Sequence, residues 1–489
     1  SYSNILRMLR LASIPIRSKD RKSGPLVIAG GPCAFNPEPL APFFDVFVLG
    51  DGEEVFLRIL EILEQEPDRE KRLQAIAKLS GVYVPSDYEI EYKQDSTIAK
   101  ITPEKKVKKA IIKDLDAVDY PTSPIVPYLQ TIHDRVNVEV FRGCLRGCRF
   151  CQAGMLYRPT RERSKEEIKR LVLETLKNTG YEEVSLTSLS TADYSALACL
   201  VPELMQVLEP EKISLSLPSL RIDSFSVELA REIEKVKKTG LTFAPEAGSQ
   251  RMRNVINKNV TEEDLLKTAE AAFQNGWTHI KLYFMIGLPT ETDEDILAIA
   301  ELGKKVRELG RRYTKRVTVT VSTSSFVPKG HTPFQWCGQN PRDELRRKQF
   351  LLKDNLKGPG LNYSWHNPEI SYLEAVIARG DRRVAEAILY AEEHGAHFDT
   401  WNEYFKPELW AEAFKACGID PDFYALRERP QNEVFPWEHI DSGVEKSFLY
   451  HEWQKALAEQ TTQDCREVGC TGCGVCSSFA TAISLKGGE

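Results

Sequence analysis

From residue 136 to residue 325 the sequence alternates short apolar runs with amphipathic stretches, six times over. The candidate strands are 137–142, 182–187, 212–217, 240–244, 279–285 and 316–323. The stretches between them carry apolar residues at helical period, as in Ile168, Leu171, Val172 and Leu176. That helix is opened by a capping-box pattern, Ser164-x-x-Glu167, and stopped by Gly180. Six strand–helix units in series predict an α/β chain built on a partial (β/α)6 barrel, with its site at the carboxyl ends of the strands.

Directly after the first strand stands Cys144-x₃-Cys148-x₂-Cys151, within Phe141-Arg-Gly-Cys-Leu-Arg-Gly-Cys-Arg-Phe-Cys-Gln-Ala-Gly154. Three thiolates can hold three irons of a [4Fe–4S] cubane and leave the fourth iron without a protein ligand. An open coordination position is what separates a catalytic metal centre from a closed structural one. The plainer alternatives are a zinc knuckle or reduced structural cysteines. Zinc takes four ligands, commonly in CxxC pairs. Neither Cys nor His follows Cys151 within forty residues.

A second group closes the chain, Cys465-x₄-Cys470-x₂-Cys473-x₂-Cys476, with no histidine among its members. Its Cys-x₂-Cys-x₂-Cys core echoes part of a ferredoxin run, so a second [4Fe–4S] cluster and structural zinc both suit it. The other four of the eleven cysteines, Cys33, Cys199, Cys337 and Cys417, are scattered. This is metal-ligand usage in a reducing cytoplasm. No run of about 18 apolar residues suggests a membrane span, and no signal-peptide pattern opens the chain. A net charge of −6 argues against a globally basic nucleic-acid binder.

The flanks divide the rest. Residues 1–85 read as part of a doubly wound domain: Pro25–Ala29 and Asp45–Leu49 are short apolar strands ending in Gly30-Gly31 and Gly50-Asp51-Gly52. The sequence opens at Ser1 inside a helical pattern, so the start of that domain is expected to be missing. Residues 86–130 are polar and proline-interrupted, a linker; 131–370 hold the barrel; 371–489 form a helical, Trp-rich region that carries the second cysteine group.

Several longer strings resemble one group of proteins. They are Gly30-Gly-Pro-Cys-Ala-Phe-Asn-Pro-Glu38, the cysteine loop with Tyr157-Arg-Pro-Thr-Arg-Glu-Arg-Ser164, Ser185-Leu-Thr-Ser-Leu-Ser190, Ala244-Pro-Glu-Ala-Gly248, Lys281-Leu-Tyr-Phe-Met-Ile-Gly-Leu-Pro289 and Phe326-Val-Pro-Lys-Gly-His-Thr-Pro-Phe-Gln-Trp336. The chain is similar along nearly its whole length to the bacterial radical S-adenosylmethionine (SAM) proteins with an N-terminal cobalamin-binding-like domain. Phe150 matches the aromatic position that superfamily carries before its third cysteine.

The resemblance implies a cluster on Cys144, Cys148 and Cys151 that chelates SAM at its open iron and cleaves it to a 5′-deoxyadenosyl radical. It implies Thr187, Ser188 and Ser190 near the SAM amino group, although the usual Gly-Gly-Glu there is replaced by Thr-Ser-Leu-Ser. Glu246 would reach the SAM ribose or amino-acid part, or else be a carboxylate at a helix N-terminus. Met285 and Gly287 would pack on adenine or belong to the barrel core. Arg221 would pair with the SAM carboxylate or form a surface salt bridge. Arg142, Arg146, Arg149, Arg158, Arg161 and Arg163 crowd the cysteine loop, either to offset the cluster's negative charge or to hold substrate phosphates.

Cobalamin is open on the sequence: no histidine precedes His133, so the axial-histidine mode is excluded in this domain, while the strand-end glycines could still admit a corrin. The function implied is modification of an unknown substrate, with methylation as one reaction. The alternatives are a methylthiotransferase-like RNA modifier and a non-catalytic Fe–S or zinc scaffold. The partners implied are a reductase, flavodoxin or ferredoxin as electron donor, and a substrate that is a small molecule, RNA or protein.

Overall fold

The computed structural model describes residues 2–218, 222 and 241–486. The N-terminal part holds β1 (Ile28–Ala29), β2 (Val46–Val48) and β3 (Val82–Tyr83), in that order, with β1 and β2 parallel and β3 antiparallel to β2. β2 is buried at every position, as a strand covered on both faces must be. It delivers Gly50-Asp51-Gly52 to the start of the helix Glu53–Gln65.

Residues 86–130, expected as a linker, hold an antiparallel hairpin of β4 (Glu89–Tyr92) and β5 (Ile98–Thr102), followed by β6 (Val107–Lys108). The hairpin is ordered by burial: Tyr88, Ile98, Ile101 and Val107 enter one apolar cluster with Phe43, Phe47 and Tyr83. Tyr372, Leu373, Val376, Ile388, Trp410 and Phe414 of the C-terminal helices complete that cluster. The two ends of the chain thus share one core, which no local pattern announces.

The barrel strands form two parallel sheets. β7 (Val136–Glu139), β10 (Glu183–Thr187) and β11 (Ser214–Ser216) lie in the order β11-β10-β7. β12 (Leu241–Glu246), β13 (His279–Ile286), β14 (Thr318–Ser325) and β15 (Leu361–Trp365) follow in sequence order. All six expected strands are present. β15 is a seventh, beyond the six strand–helix units expected: its run Leu-Asn-Tyr-Ser-Trp alternates apolar and polar residues, and its position is set by parallel pairing with β14. The helix Lys165–Thr179 has the anticipated ends, with the Ser164 side chain accepting from the Glu167 N–H and Gly180 in the left-handed region at φ 72°. Each sheet buries its own apolar cluster.

Candidate functional site

The first expected strand, 137–142, is broken. β7 stops at Glu139, and β8 (Phe141–Arg142) turns aside to pair with β9 (Arg161–Glu162). This antiparallel clip closes residues 143–160 into one loop at the barrel rim. Gly143 makes it possible: at φ 99°, a Cβ there would lie 2.6 Å from the Pro159 carbonyl oxygen and 2.8 Å from that of Tyr157.

Cys144, Cys148 and Cys151 are half-buried on this loop, and none is in a disulfide. The Cys151 N–H donates to the Cys148 carbonyl at 3.1 Å, and the Cys151 Sγ accepts from the Gly154 N–H at 3.3 Å. Burial pushes the Cys151 thiol up to about 12, and the negative charges of Cys148, Cys144 and Glu246 add to it. Three thiols and one carboxylate therefore share a neighbourhood where thiolates need a cation to form. Among the described residues no three His, Cys, Asp or Glu side chains converge as ligands of a single ion would. A cubane is wider than an ion and takes each thiolate at a separate iron, so the donor set fits it: three thiols and no fourth.

The six arginines have other work. Arg149 is fully buried and donates to the carbonyls of Asn254, Val255 and Gln460 at 3.1, 3.0 and 2.8 Å, and to Glu452 at 3.1 Å. Arg142 spends its guanidinium on Glu139, Asp51 and Glu53. Arg161 pairs with Asp51 at 2.6 Å, Arg163 with the carbonyls of Glu139 and Leu115, and Arg158 with that of Gly154. Arg146 binds Asp193. Their shared task is to satisfy carbonyls and carboxylates that the loop buries.

Around the rim, Glu246 ends β12 beside a register shift, at φ 70°. A non-glycine residue held there is strained, and the strain turns its carboxylate toward Lys258, 3.4 Å away, and the cysteine loop. Met285 shares an apolar cluster with Phe150, Ala247 and Leu288, so β13 and the cysteine loop meet there. Gly287 is less free than its sequence suggests. Its N–H donates to Glu291 at 2.7 Å, and Glu291 is held in turn by Lys348 at 2.7 Å. Ser190 is buried and donates to Asp193 at 2.6 Å, while Ser188 braces the turn through Thr191. Arg221 lies outside the described residues.

A cleft of about 650 Å³ opens between the two parts of the chain. Gly50, Asp51, Gly52 and Glu53 wall one side; Glu139, Phe141, Arg142, Gly143, Thr187, Ser188 and Leu189 wall the other. Gly50 is spent against Ala110, whose carbonyl oxygen would lie 2.1 Å from a Cβ, whereas nothing lies within 4 Å of a Cβ at Gly52. The sequence-level site therefore gains a second wall that no motif connected to it.

The C-terminal cysteines coil around Gly469, Gly472 and Gly474, all at positive φ. Burial raises the Cys476 thiol, and Cys473, Cys470 and Cys465 raise it further, so the four lie together. Cys473 and Val475 pack in the cluster that holds Met155 of the helix following the first cysteine loop.

The chain matches the model for the radical SAM superfamily over residues 138–303 and that for the N-terminal region of radical SAM proteins over residues 1–85. It is 32% identical over 377 residues to an uncharacterized protein of Methanocaldococcus jannaschii, covering 76% of this chain and 75% of that one. The chain belongs to the radical SAM superfamily. It is a radical SAM modification enzyme that works with a [4Fe–4S] cluster and SAM and needs an electron donor. Two further relatives are an uncharacterized methyltransferase of Pyrococcus horikoshii, 24% identical over 59% of this chain and 60% of that one, and the tRNA-2-methylthio-N(6)-dimethylallyladenosine synthase of Thermotoga petrophila, 25% identical over 46% and 51%. A solved cobalamin-dependent SAM radical enzyme, OxsB, overlays at a TM-score of 0.45 with 11% identity, over 98% of this chain and 73% of that one, a likeness too distant to carry an argument. Among the described residues no helix is long and apolar enough to cross a membrane.

Proposed function

We propose that this radical SAM enzyme modifies its substrate, by methylation or another radical step, inside the cleft between Gly50–Glu53 and the barrel rim. The observation that carries the reading is the cleft's make-up: one wall is the cysteine loop's own Gly143 with Thr187 and Ser188, so a guest there lies beside the SAM site. Cys144, Cys148 and Cys151 would hold the cluster, whose bound chemistry is one-electron cleavage of SAM to methionine and a 5′-deoxyadenosyl radical. Glu246 and Lys258 offer a charged pair to the amino-acid or ribose part of SAM, and Phe150 with Met285 an apolar face to its adenine. The cleft shields the reaction from water on the side facing the N-terminal part.

Its charge favours a neutral or cationic guest. Asp51, Glu53 and Glu139 face Arg142, which all three already occupy, and Arg161 stands behind Asp51, so the three carboxylates still outnumber the cations paired with them. Such a wall repels phosphates, which weighs against the RNA-modifying alternative. Cobalamin is the further occupant to test. Gly52 leaves room for a flat macrocycle, and no histidine is among the residues that line the cleft to ligate a cobalt there. A flavodoxin or ferredoxin of a reducing cytoplasm is the electron donor that suits a chain of eleven cysteines, none of them in a disulfide.

Protein reconstituted with iron and sulfide, reduced with dithionite and given SAM should release 5′-deoxyadenosine; no release would reject the enzyme reading. A hydroxocobalamin titration of the same protein reads the corrin directly, with a nitrogen hyperfine pattern in the Co(II) spectrum contradicting the ligation stated here. The second cysteine group should hold its own metal, an auxiliary [4Fe–4S] cluster before zinc. The Cys144, Cys148 and Cys151 triple alanine variant, purified anaerobically, should retain iron or zinc, and finding neither would refute that site.

A further inference from the structure

Asp193 is absent from every motif in the sequence, yet two distant segments meet on its carboxylate beside a serine of its own turn. It sits in the short turn after β10, largely buried. Ser190 Oγ donates to its Oδ2 at 2.6 Å, and Arg146 Nε donates to the same oxygen at 2.8 Å while a second nitrogen reaches Oδ1. From the far end of the chain, Arg466 brings a nitrogen to within 3.5 Å of Oδ1 and another to within 3.5 Å of the Asp193 carbonyl oxygen. Burial alone would raise this carboxyl, but Arg146, Ser190 and Arg466 hold it below the usual range, so it stays ionised. Cys144, Ser190, Asp193 and Arg466 also wall one void of about 10 Å³, which puts the carboxylate beside a cluster cysteine.

Each partner belongs to a different functional segment. Arg146 lies between Cys144 and Cys148; Ser190 ends the Thr187–Ser190 segment; Arg466 follows Cys465 directly. The tail is fastened on both sides of its cysteines as well. Thr462 is held by Asn257, whose side chain also reaches the Gly147 carbonyl at 3.1 Å, and Ser484 pairs with Thr160 and Glu162. The second cysteine segment is thereby laid against the first loop, and the Asp193 carboxylate touches both and the end of the Thr187–Ser190 segment.

We propose that Asp193 is a positioning residue that sets the cysteine loop against the Thr187–Ser190 segment and ties this geometry to the C-terminal cysteine segment through Arg466. The inference rests on the radical SAM reading for what occupies the space beside that segment. Asp193→Asn keeps the shape and one hydrogen bond but removes the charge that both arginines meet. It should load its full complement of iron, weaken SAM binding about tenfold, as losing one charge-assisted hydrogen bond would, and alter the change that SAM produces in the EPR spectrum of the reduced cluster. Arg466→Gln cuts only the tail's arm and should move both readouts in the same direction by a smaller factor, about threefold in Kd. An Asp193→Asn protein whose SAM affinity and SAM-bound spectrum match the parent's overturns the proposal. Should that variant fail to take up iron, Arg466→Gln decides, and parental values there overturn the link to the tail. A parent protein that binds no SAM at all would instead sink the radical SAM reading on which the inference stands.

Discussion

Cys144→Ala, Cys148→Ala and Cys151→Ala each abolish the release of 5′-deoxyadenosine from SAM and leave a folded protein. The three thiols are half-buried, and none belongs to an apolar cluster of the fold. The loop that carries them is held by other means: the β8–β9 clip, the Gly143 turn, and the arginines that satisfy its carbonyls. Truncation at a site of this kind costs stability on the order of 1 kcal/mol or less. Activity responds differently, because a cubane with two protein ligands loses the arrangement that leaves one iron open for SAM. The measurement is product quantified by mass spectrometry, with melting temperature as the folding control. Retained product in any one of the three would sink the assignment of the cluster to this loop.

Arg149→Ala carries the largest expected loss of stability. The side chain is wholly buried between the cysteine loop, the segment 254–256 and the C-terminal region. Burial lowers its affinity for the proton, and Glu452, 3.0 Å away and also buried, offsets only part of that. Removing one partner of such a pair leaves a buried charge behind, a loss of about 3–5 kcal/mol. Here Lys455 and Thr462 still hold Glu452, which places the expectation at the lower end of that range. The Val255 and Gln460 carbonyls lose their donor in addition, while that of Asn254 keeps the Asn257 N–H. Arg149→Lys should rescue little, since one ammonium cannot reproduce donors spread over three nitrogens. Chemical denaturation tests this, and a loss below about 1 kcal/mol would show that the arginine does not bind the tail to the loop.

Much of the barrel was legible because its strands and helices are written in period. Ile280, Leu282, Phe284 and Ile286 alternate along β13 and face one core, and Ser164 and Gly180 mark their helix by local chemistry alone. β15 was not read, although Leu361, Tyr363 and Trp365 alternate with Asn362 and Ser364, because it stands outside the six strand–helix units and is placed by its pairing with β14. The hairpin of β4 and β5 was read as linker for a similar reason: its apolar residues are few, and the surface they bury belongs to helices some 270 residues later in the chain. The arginines show a further limit. Six cations around a metal-binding loop suggest an electrostatic role, and only the positions of Asp51, Glu139, Asp193 and Glu452 reveal what neutralises them.

The amino-acid sequence by itself brought three cysteines together: at short spacing after a strand they fall within one loop, since that spacing is closed by covalent geometry. It marked six of the seven barrel strands. What only tertiary structure decided are the meetings of segments hundreds of residues apart. These are the shared core of the two chain ends, the cleft between Gly50–Glu53 and Thr187–Ser188, and the contact of Arg146 and Arg466 on Asp193. Each depends on burial and on the pairing of charges across the fold, which are properties of the packed molecule that no local window of residues encodes.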